Sequence, residues 1–326
     1  MMKRKWWLIP VAFIAALALT LFVLFKVNVQ LPDKPWEPSP SPTPATGTSV
    51  GVPVTPSPPP TGVHVDSNRK EGVYTFLLIG TDKGSALTDT LIVASLNIKE
   101  HKLALISIPR DTYIPGAERG VKKINGAYGG KHMDRLLDEV SLVVGFRPDY
   151  TAMVHLEGFI ALVDAIGGVD FDVPQRLYYR DPAQGLYIDV QKGFQHLDGE
   201  HALQVARFRR GYVTQDLQRT EVQRGLLKAI AKKVLSPSGL TKLPALADVV
   251  ADNLITELTW GQMTALALEA AKVDMENDAI FGIIPVKALT LNGASYVEVL
   301  KEEAVELINR SINPYKEDIT VEHILP

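Results

Sequence analysis

The stretch Leu203–Arg224, LQVARFRRGYVTQDLQRTEVQR, packs Arg207, Arg209, Arg210, Arg219 and Arg224 around Asp216 and Gln223, in a chain whose formal net charge is only -3. On a helix opened by Asp216, residues Asp216, Arg219 and Gln223 stand at i, i+3 and i+7 and share one face. Arg207 and Arg209, just past the end of a predicted helix, would point the same way if the chain there is extended, because strand side chains alternate. Guanidinium and amide donors converging on one place suit an anion with clustered oxygens, and phosphate is the usual one. The same residues also allow a solvated helix face, with Asp216 and Glu221 pairing the arginines.

Three further groups carry charge to the ends of apolar runs. Asp82 closes Gly80-Thr81-Asp82, and Asp89 follows seven residues later in Thr88-Asp89-Thr90. Two carboxylates at strand ends, joined by a short loop, suit a shared hard cation such as Mg²⁺; turn or cap residues have the same look. Ser107-Ile108-Pro109-Arg110-Asp111 delivers an arginine from another strand end, either to an anion or to a bracing pair with Asp111 or Glu118. Lys123, in Lys123-Ile124-Asn125-Gly126, could meet a phosphate beside a tight turn. His196 and His201 share no helix face and fit no zinc signature, so they read as structural.

The elements that must position these residues follow from the hydrophobic pattern. Trp6–Phe25 is free of charge and long enough to span a bilayer core; Lys3, Arg4 and Lys5 precede it. The positive-inside rule places residues 1–5 in the cytoplasm, the anchor at 6–27, and the rest outside the membrane. The apolar run exceeds a usual signal-peptide core and lacks a small-x-small cleavage site, so the anchor is expected to stay uncleaved. Residues 28–71 form a linker, with 11 of the chain's 22 prolines between positions 31 and 62. Such composition cannot bury a core and predicts a stiff stalk reaching up to about 100 Å.

There is no cysteine, which excludes disulfides and thiolate chemistry. An extracytoplasmic domain also excludes nucleic acid as the partner of the arginines. Residues 72–326 are then read as one α/β domain. Strands are predicted at 74–79, 91–98, 103–108, 152–156, 169–173 and 280–284, the second and third forming a hairpin. Helices are predicted at 132–144, 157–166, 199–206, 216–234, 244–251, 260–273 and 296–312. Asp198 is expected to cap one, Thr259 and Gln262 to box another, and Gly167-Gly168 to end a third. The mixture predicts a mixed central β-sheet flanked by helices on both faces, an α/β/α sandwich preceded by one transmembrane helix.

In order, GTD, TDT, SIPRD, KINGAY, LVDAIGGVDFDVP and ARFR…D..R..VQR resemble the LytR–CpsA–Psr family, closely over residues 72–235 and onward to about 312. The resemblance implies a Mg²⁺-dependent phosphotransferase at the cytoplasmic membrane. It would move a glycopolymer, such as wall teichoic acid or capsular polysaccharide, from a polyprenyl-pyrophosphate carrier to peptidoglycan. Asp82 and Asp89 would hold the metal. Arg110, Lys123, Arg207, Arg209, Arg219 and Gln223 would grip the pyrophosphate, with Asp216 orienting the arginines. Arg110 and Arg219 would be catalytic, and Asp82, Asp89 and Asp111 are the candidates for a general base. The polyprenyl tail would lie in an apolar tunnel lined by runs such as Leu136–Val144 or Phe159–Ile166. Leu87 and Val222 stand where many members carry arginine, which removes positive charge from the expected site. A lipid-pyrophosphate hydrolase and a non-catalytic lipid- or polymer-binding regulator are the alternatives.

Overall fold

The computed structural model describes residues 29–32, 68–82, 84–182, 186–208 and 216–325; for 216–220, 244 and 245 only the backbone is described. The expected anchor at 6–27, most of the linker, Lys83, Arg209 and Arg210 lie outside the described residues. Among those described, no helix is long and apolar enough to cross a membrane.

The chain opens with β1 (Val73–Thr81), β2 (Thr88–Asn97) and β3 (Lys102–Ile108), then α1 (Met133–Val144), β4 (Tyr150–His155) and α2 (Leu156–Ala165). Two hairpin-like pairs follow, made from β5 (Val169–Val173), β6 (Leu177–Asp181), β7 (Leu186–Val190) and β8 (Gly193–Leu197). Next come α3 (Gly199–Arg207), α4 (Asp216–Leu235), the short α5 (Pro237–Leu240), α6 (Leu243–Asn253), β9 (Leu254–Thr256) and α7 (Trp260–Ala270). β10 (Ala279–Ile283), β11 (Val286–Leu291), β12 (Ala294–Val299) and α8 (Lys301–Ser311) complete the order.

Six strands form the central sheet in the order β10-β3-β2-β1-β4-β9. β4 lies parallel to β1 and β10 parallel to β3, while the other neighbours are antiparallel, so the sheet is mixed. Because strand side chains alternate, each strand feeds two cores. Leu77, Ile79, Leu91, Val93 and Ile106 point to one face, where α1 and α8 cover them through Val140, Val144, Leu307 and Ile308. Phe76, Leu78, Ile92, Ala94 and Leu105 point to the other, against Leu227 of α4. Lower on that face, Tyr74 and Leu96 pack with Leu235 of α4 and Leu266 and Ala270 of α7. A further core, away from the central sheet, joins α2, α3 and α4 to the strands β5–β8 through Val163, Val173, Ile188, Val205 and Leu226.

Local signals explain the element ends. Asp198 accepts the His201 N–H at 2.9 Å and caps α3, while Thr259 and Gln262 exchange the two bonds of a capping box at α7. Gly167 and Gly168 leave α2 with φ of 83° and 69°. A Cβ on Gly168 would fall 2.3 Å from His196 Nε2, so both space and backbone favour glycine there.

The helix predicted at 296–312 is a correction. Ala294–Val299 is instead strand β12, paired antiparallel with β11, and the helix begins at Lys301. Asn292-Gly293 forms the two-residue turn between these strands, with φ of 50° and 77°. Positive φ at both positions is what a tight hairpin demands, and Asn-Gly is its strongest sequence signal. The helical period of α8 had run back over it.

Candidate active site

Asp82 follows the end of β1, Asp89 is the second residue of β2, and Arg110 and Asp111 follow the end of β3. Since β2 runs antiparallel to both neighbours, all four residues meet at one edge of the sheet. The β1–β2 register pairs Gly80 with Thr90 and Thr81 with Thr88, so Asp89 is the extra residue of a bulge. Bulges re-aim a side chain at the rim of a sheet. The loop between the two aspartates is closed by its own polar groups: Thr81 Oγ1 donates to Leu87 O at 2.8 Å and Ser85 N to Asp82 O at 3.0 Å.

Arg110 Nη1 donates to Asp89 Oδ1 at 2.8 Å, with both side chains about one-third exposed (36% and 33%). Arg110 therefore pairs with neither Asp111 nor Glu118. Asp111 instead accepts from Lys123 Nζ at 2.9 Å. Lys123 Nζ also sits 5.6 Å from the centre of the Tyr296 ring, whose other neighbour is Tyr113 at 5.3 Å, edge to face. Backbone bonds lace this corner together, from Val297 N to Asp111 O (3.0 Å), Ile124 N to Thr112 O (2.9 Å) and Asn125 N to Arg110 O (3.1 Å).

Beneath Lys123 lies a pair that motif reading missed. Arg119 forks onto the buried Glu139 of α1 and donates a further bond to Lys123 O at 2.6 Å. A buried carboxylate needs such a fork, since a lone charge in the core is expensive. Tyr296 gives no local signal either, because it lies far along the chain, in a strand whose residues share the helical period of α8.

The arginine stretch divides. Arg207 ends α3, half-buried, and Gln223 Nε2 donates to Ala206 O at 3.0 Å, which brings Gln223 beside that helix end. Asp216 and Arg219 occupy the first turn of α4, but their side chains are outside the described residues, as is Arg209. The helix position is still informative. Leu227 packs at mid-sheet against Ile92 and Leu105, and Leu235 packs where β1 begins. So α4 descends the sheet, and Arg219 stands about 12 Å above Leu227. Asp89 stands about 10 Å above Ile92 by strand rise. The start of α4 is thus level with the charged edge.

The two positions lacking the expected arginine differ. Leu87 is exposed at the loop surface, whereas Val222 is buried in the core with Phe208 and Leu226. His196 and His201 bind Asp170 (2.8 Å) and Asp198 (2.7 Å) at the surface, away from these groups.

For a divalent cation the donor set is suitable though small. The Asp82 carboxylate takes no hydrogen bond or ion pair among the described residues, and Asp89 on the adjoining strand supplies a second carboxylate shared with Arg110. No group of three or more candidate metal ligands occurs among the described residues. Mg²⁺ is commonly held by just one or two carboxylates together with substrate phosphates.

A cavity of about 310 Å³ lies between α2, α4, α6 and α7, walled by Phe159, Leu162, Ile166, Val234, Met263 and Ala267 and apolar except for Thr264. Of the two runs expected to line a tunnel, Phe159–Ile166 borders this cavity. Leu136–Val144 does not: its apolar side chains pack into the closed core under α8.

Comparison with known proteins gives a consistent picture. An uncharacterised Staphylococcus aureus protein is 30% identical over 250 residues, 75% of this chain and 59% of the relative, so this chain spans under two-thirds of that protein. The polyisoprenyl-teichoic acid–peptidoglycan teichoic acid transferase TagU of Enterococcus faecalis is 30% identical over 248 residues, 73% of this chain and 78% of the relative. The crystal structure of B. subtilis TagV matches with a TM-score of 0.62 at 26% identity, covering 74% of this chain and 96% of that one. The model of the LytR_cpsA_psr family matches residues 52–313, and the chain belongs to that family.

Proposed function

We propose that this chain is a phosphotransferase working outside the cytoplasmic membrane. It moves a glycopolymer, such as wall teichoic acid or capsular polysaccharide, from a polyprenyl-pyrophosphate carrier to a sugar hydroxyl of peptidoglycan. The observation that carries the reading is the gathering of Asp82, Asp89, Arg110, Asp111 and Lys123 at one sheet edge, level with the start of α4. The teichoic acid transferase names of its relatives support the same class of reaction.

In this reading Arg110, Lys123, Arg207 and Arg219 bind the pyrophosphate oxygens, and Gln223 holds the end of α3 in place. Asp89 aims Arg110, and Asp111 aims Lys123, before substrate arrives. Preorganised donors of this kind stabilise charge as it develops, without rearranging at the moment of reaction. Mg²⁺ held by Asp82 and Asp89 would supply further neutralisation of the phosphate oxygens. The acceptor hydroxyl attacks the phosphorus next to the first sugar in line, a new O–P bond forms, and the bond to the polyprenyl phosphate breaks. The hydroxyl proton passes to a carboxylate of the edge, and the leaving phosphate keeps its electron pair against the arginines. The apolar cavity at Phe159–Ile166 receives part of the polyprenyl tail.

The test is turnover of a synthetic polyprenyl-pyrophosphate glycan with peptidoglycan oligomers, followed by mass spectrometry with and without Mg²⁺. A Mg²⁺-dependent phosphodiester product is expected. Release of free phosphorylated glycan would replace the transferase with a hydrolase, and binding without turnover would make the chain a regulator.

A further inference from the structure

Leu31 and Pro32 lie only a few residues beyond the expected anchor, yet they are part of the folded domain. Pro32 is buried, and Leu31 is half-buried in the cluster of Tyr74, Leu96, Leu266 and Ala270. Tyr74 is near the beginning of β1 and Leu96 near the end of β2, so this cluster marks the sheet edge opposite Asp82, Asp89 and Arg110. Only five residues, 26–30, separate Phe25, the last of the uncharged run, from Leu31, so six Cα–Cα steps join the two. Fully extended, they span at most about 20 Å.

We infer that Leu31–Pro32 is a clip that seats the domain on the bilayer by the sheet edge remote from the site. It rests on the proposed membrane anchoring of residues 6–27. The partner of that edge is the lipid surface, and the height of the domain is set by the five residues, 26–30, before the clip. The proline-rich stretch after Pro32 does not set it. A simple spacer would have no use for a Leu-Pro pair buried in the domain at its root.

The clip orients everything above it. β1 is nine residues long, so the charged edge stands about 30 Å above the clipped one. The apolar cavity lies between them. Val234 on its wall adjoins Leu235 of the clip cluster, and Met263 and Ala267 share α7 with Leu266 and Ala270. A lipid carrier leaving the bilayer meets apolar surface first and the cationic edge last, with its pyrophosphate presented away from the membrane.

The chain has no cysteine, which makes single-site labelling clean. The full-length protein in lipid nanodiscs would carry a donor dye on Glu100→Cys, in the β2–β3 turn at the clipped edge, or on Ala86→Cys, at the charged edge. Acceptor dye would be placed on the lipid headgroups. The clip predicts strong energy transfer at position 100 and several-fold weaker transfer at 86, with the difference lost in Leu31→Asp and retained when residues 33–67 are replaced by a Gly/Ser segment of equal length. Equal transfer at both positions, or a difference that Leu31→Asp leaves intact, would overturn it. Failure of the unlabelled protein to co-purify with nanodiscs would instead remove the anchor, and the clip with it.

Discussion

Arg110 Nη1 donates to Asp89 Oδ1 at 2.8 Å, so a side chain expected to grip phosphate is held by one expected to hold metal. In the proposed reaction one carboxylate would serve both cations, and substrate binding would divide it between them. Arg110→Ala should lower polymer transfer by about 10²–10³, the scale for removing one aimed donor. Its melting temperature should hardly move, because solvent-accessible pairs of this kind contribute about 0–1 kcal/mol. Arg110→Lys should restore little, since it keeps the charge but not the fork. Parallel turnover and thermal melts check this, and wild-type turnover in Arg110→Ala would remove Arg110 from the site.

Lys123 is positioned by two contacts, Asp111 at 2.9 Å and the Tyr296 ring at 5.6 Å. Tyr296→Leu removes the ring while leaving the Lys123–Asp111 pair. A several-fold rise in KM for the lipid donor with a smaller change in kcat is the expected result. Steady-state kinetics over a range of donor concentrations would show whether the loss falls on kcat instead.

Arg119 and Glu139 form a buried fork whose other bond reaches Lys123 O. Glu139→Ala leaves a guanidinium without its partner and should cost about 3–5 kcal/mol. Denaturant unfolding measures this directly. An unchanged unfolding midpoint would mean that water enters and solvates Arg119.

The cavity beside Phe159–Ile166 makes a steric prediction. Ala267→Trp would fill part of the 310 Å³ space from α7 without touching the charged edge. Donors with a full-length polyprenyl tail should lose affinity by about tenfold, equivalent to 1.4 kcal/mol. A short-chain donor should be unaffected. Equal effects on both donors would separate the cavity from lipid binding.

Asp198 caps the helix that ends in Arg207, and its bond from the His201 N–H is the main cause holding its carboxyl below the usual aspartate range. A lowered folded pKa means stability that is present above the ordinary aspartate pKa and lost as pH falls through the folded one. Asp198→Ala should therefore cost about 1 kcal/mol near neutral pH. Urea melts from pH 7 to pH 3 should show the deficit shrinking with acid, and a deficit independent of pH would mean that the ionised carboxylate does not do the capping.

Much of this molecule could be read from residues near one another in the chain. The six predicted strands, the β2–β3 hairpin, the Asp198 cap and the Thr259 box depend on alternation, period and bonds over three or four residues, and all are present. The ordered motifs placed the chain in its family for the same reason, since each is a short string. Even the missed hairpin at Asn292-Gly293 carried its signal in two adjacent residues.

Pairings across the fold were decided elsewhere. That Arg110 meets Asp89, that Tyr296 lies under Lys123, that Glu139 takes Arg119, and that Phe159–Ile166 borders a cavity while Leu136–Val144 fills a core all follow from strand order and helix placement. So does the packing of Leu31 on the domain. A local rule states which face a side chain takes on its own element. The element that comes to cover that face depends on register and packing between segments that lie far apart in the chain.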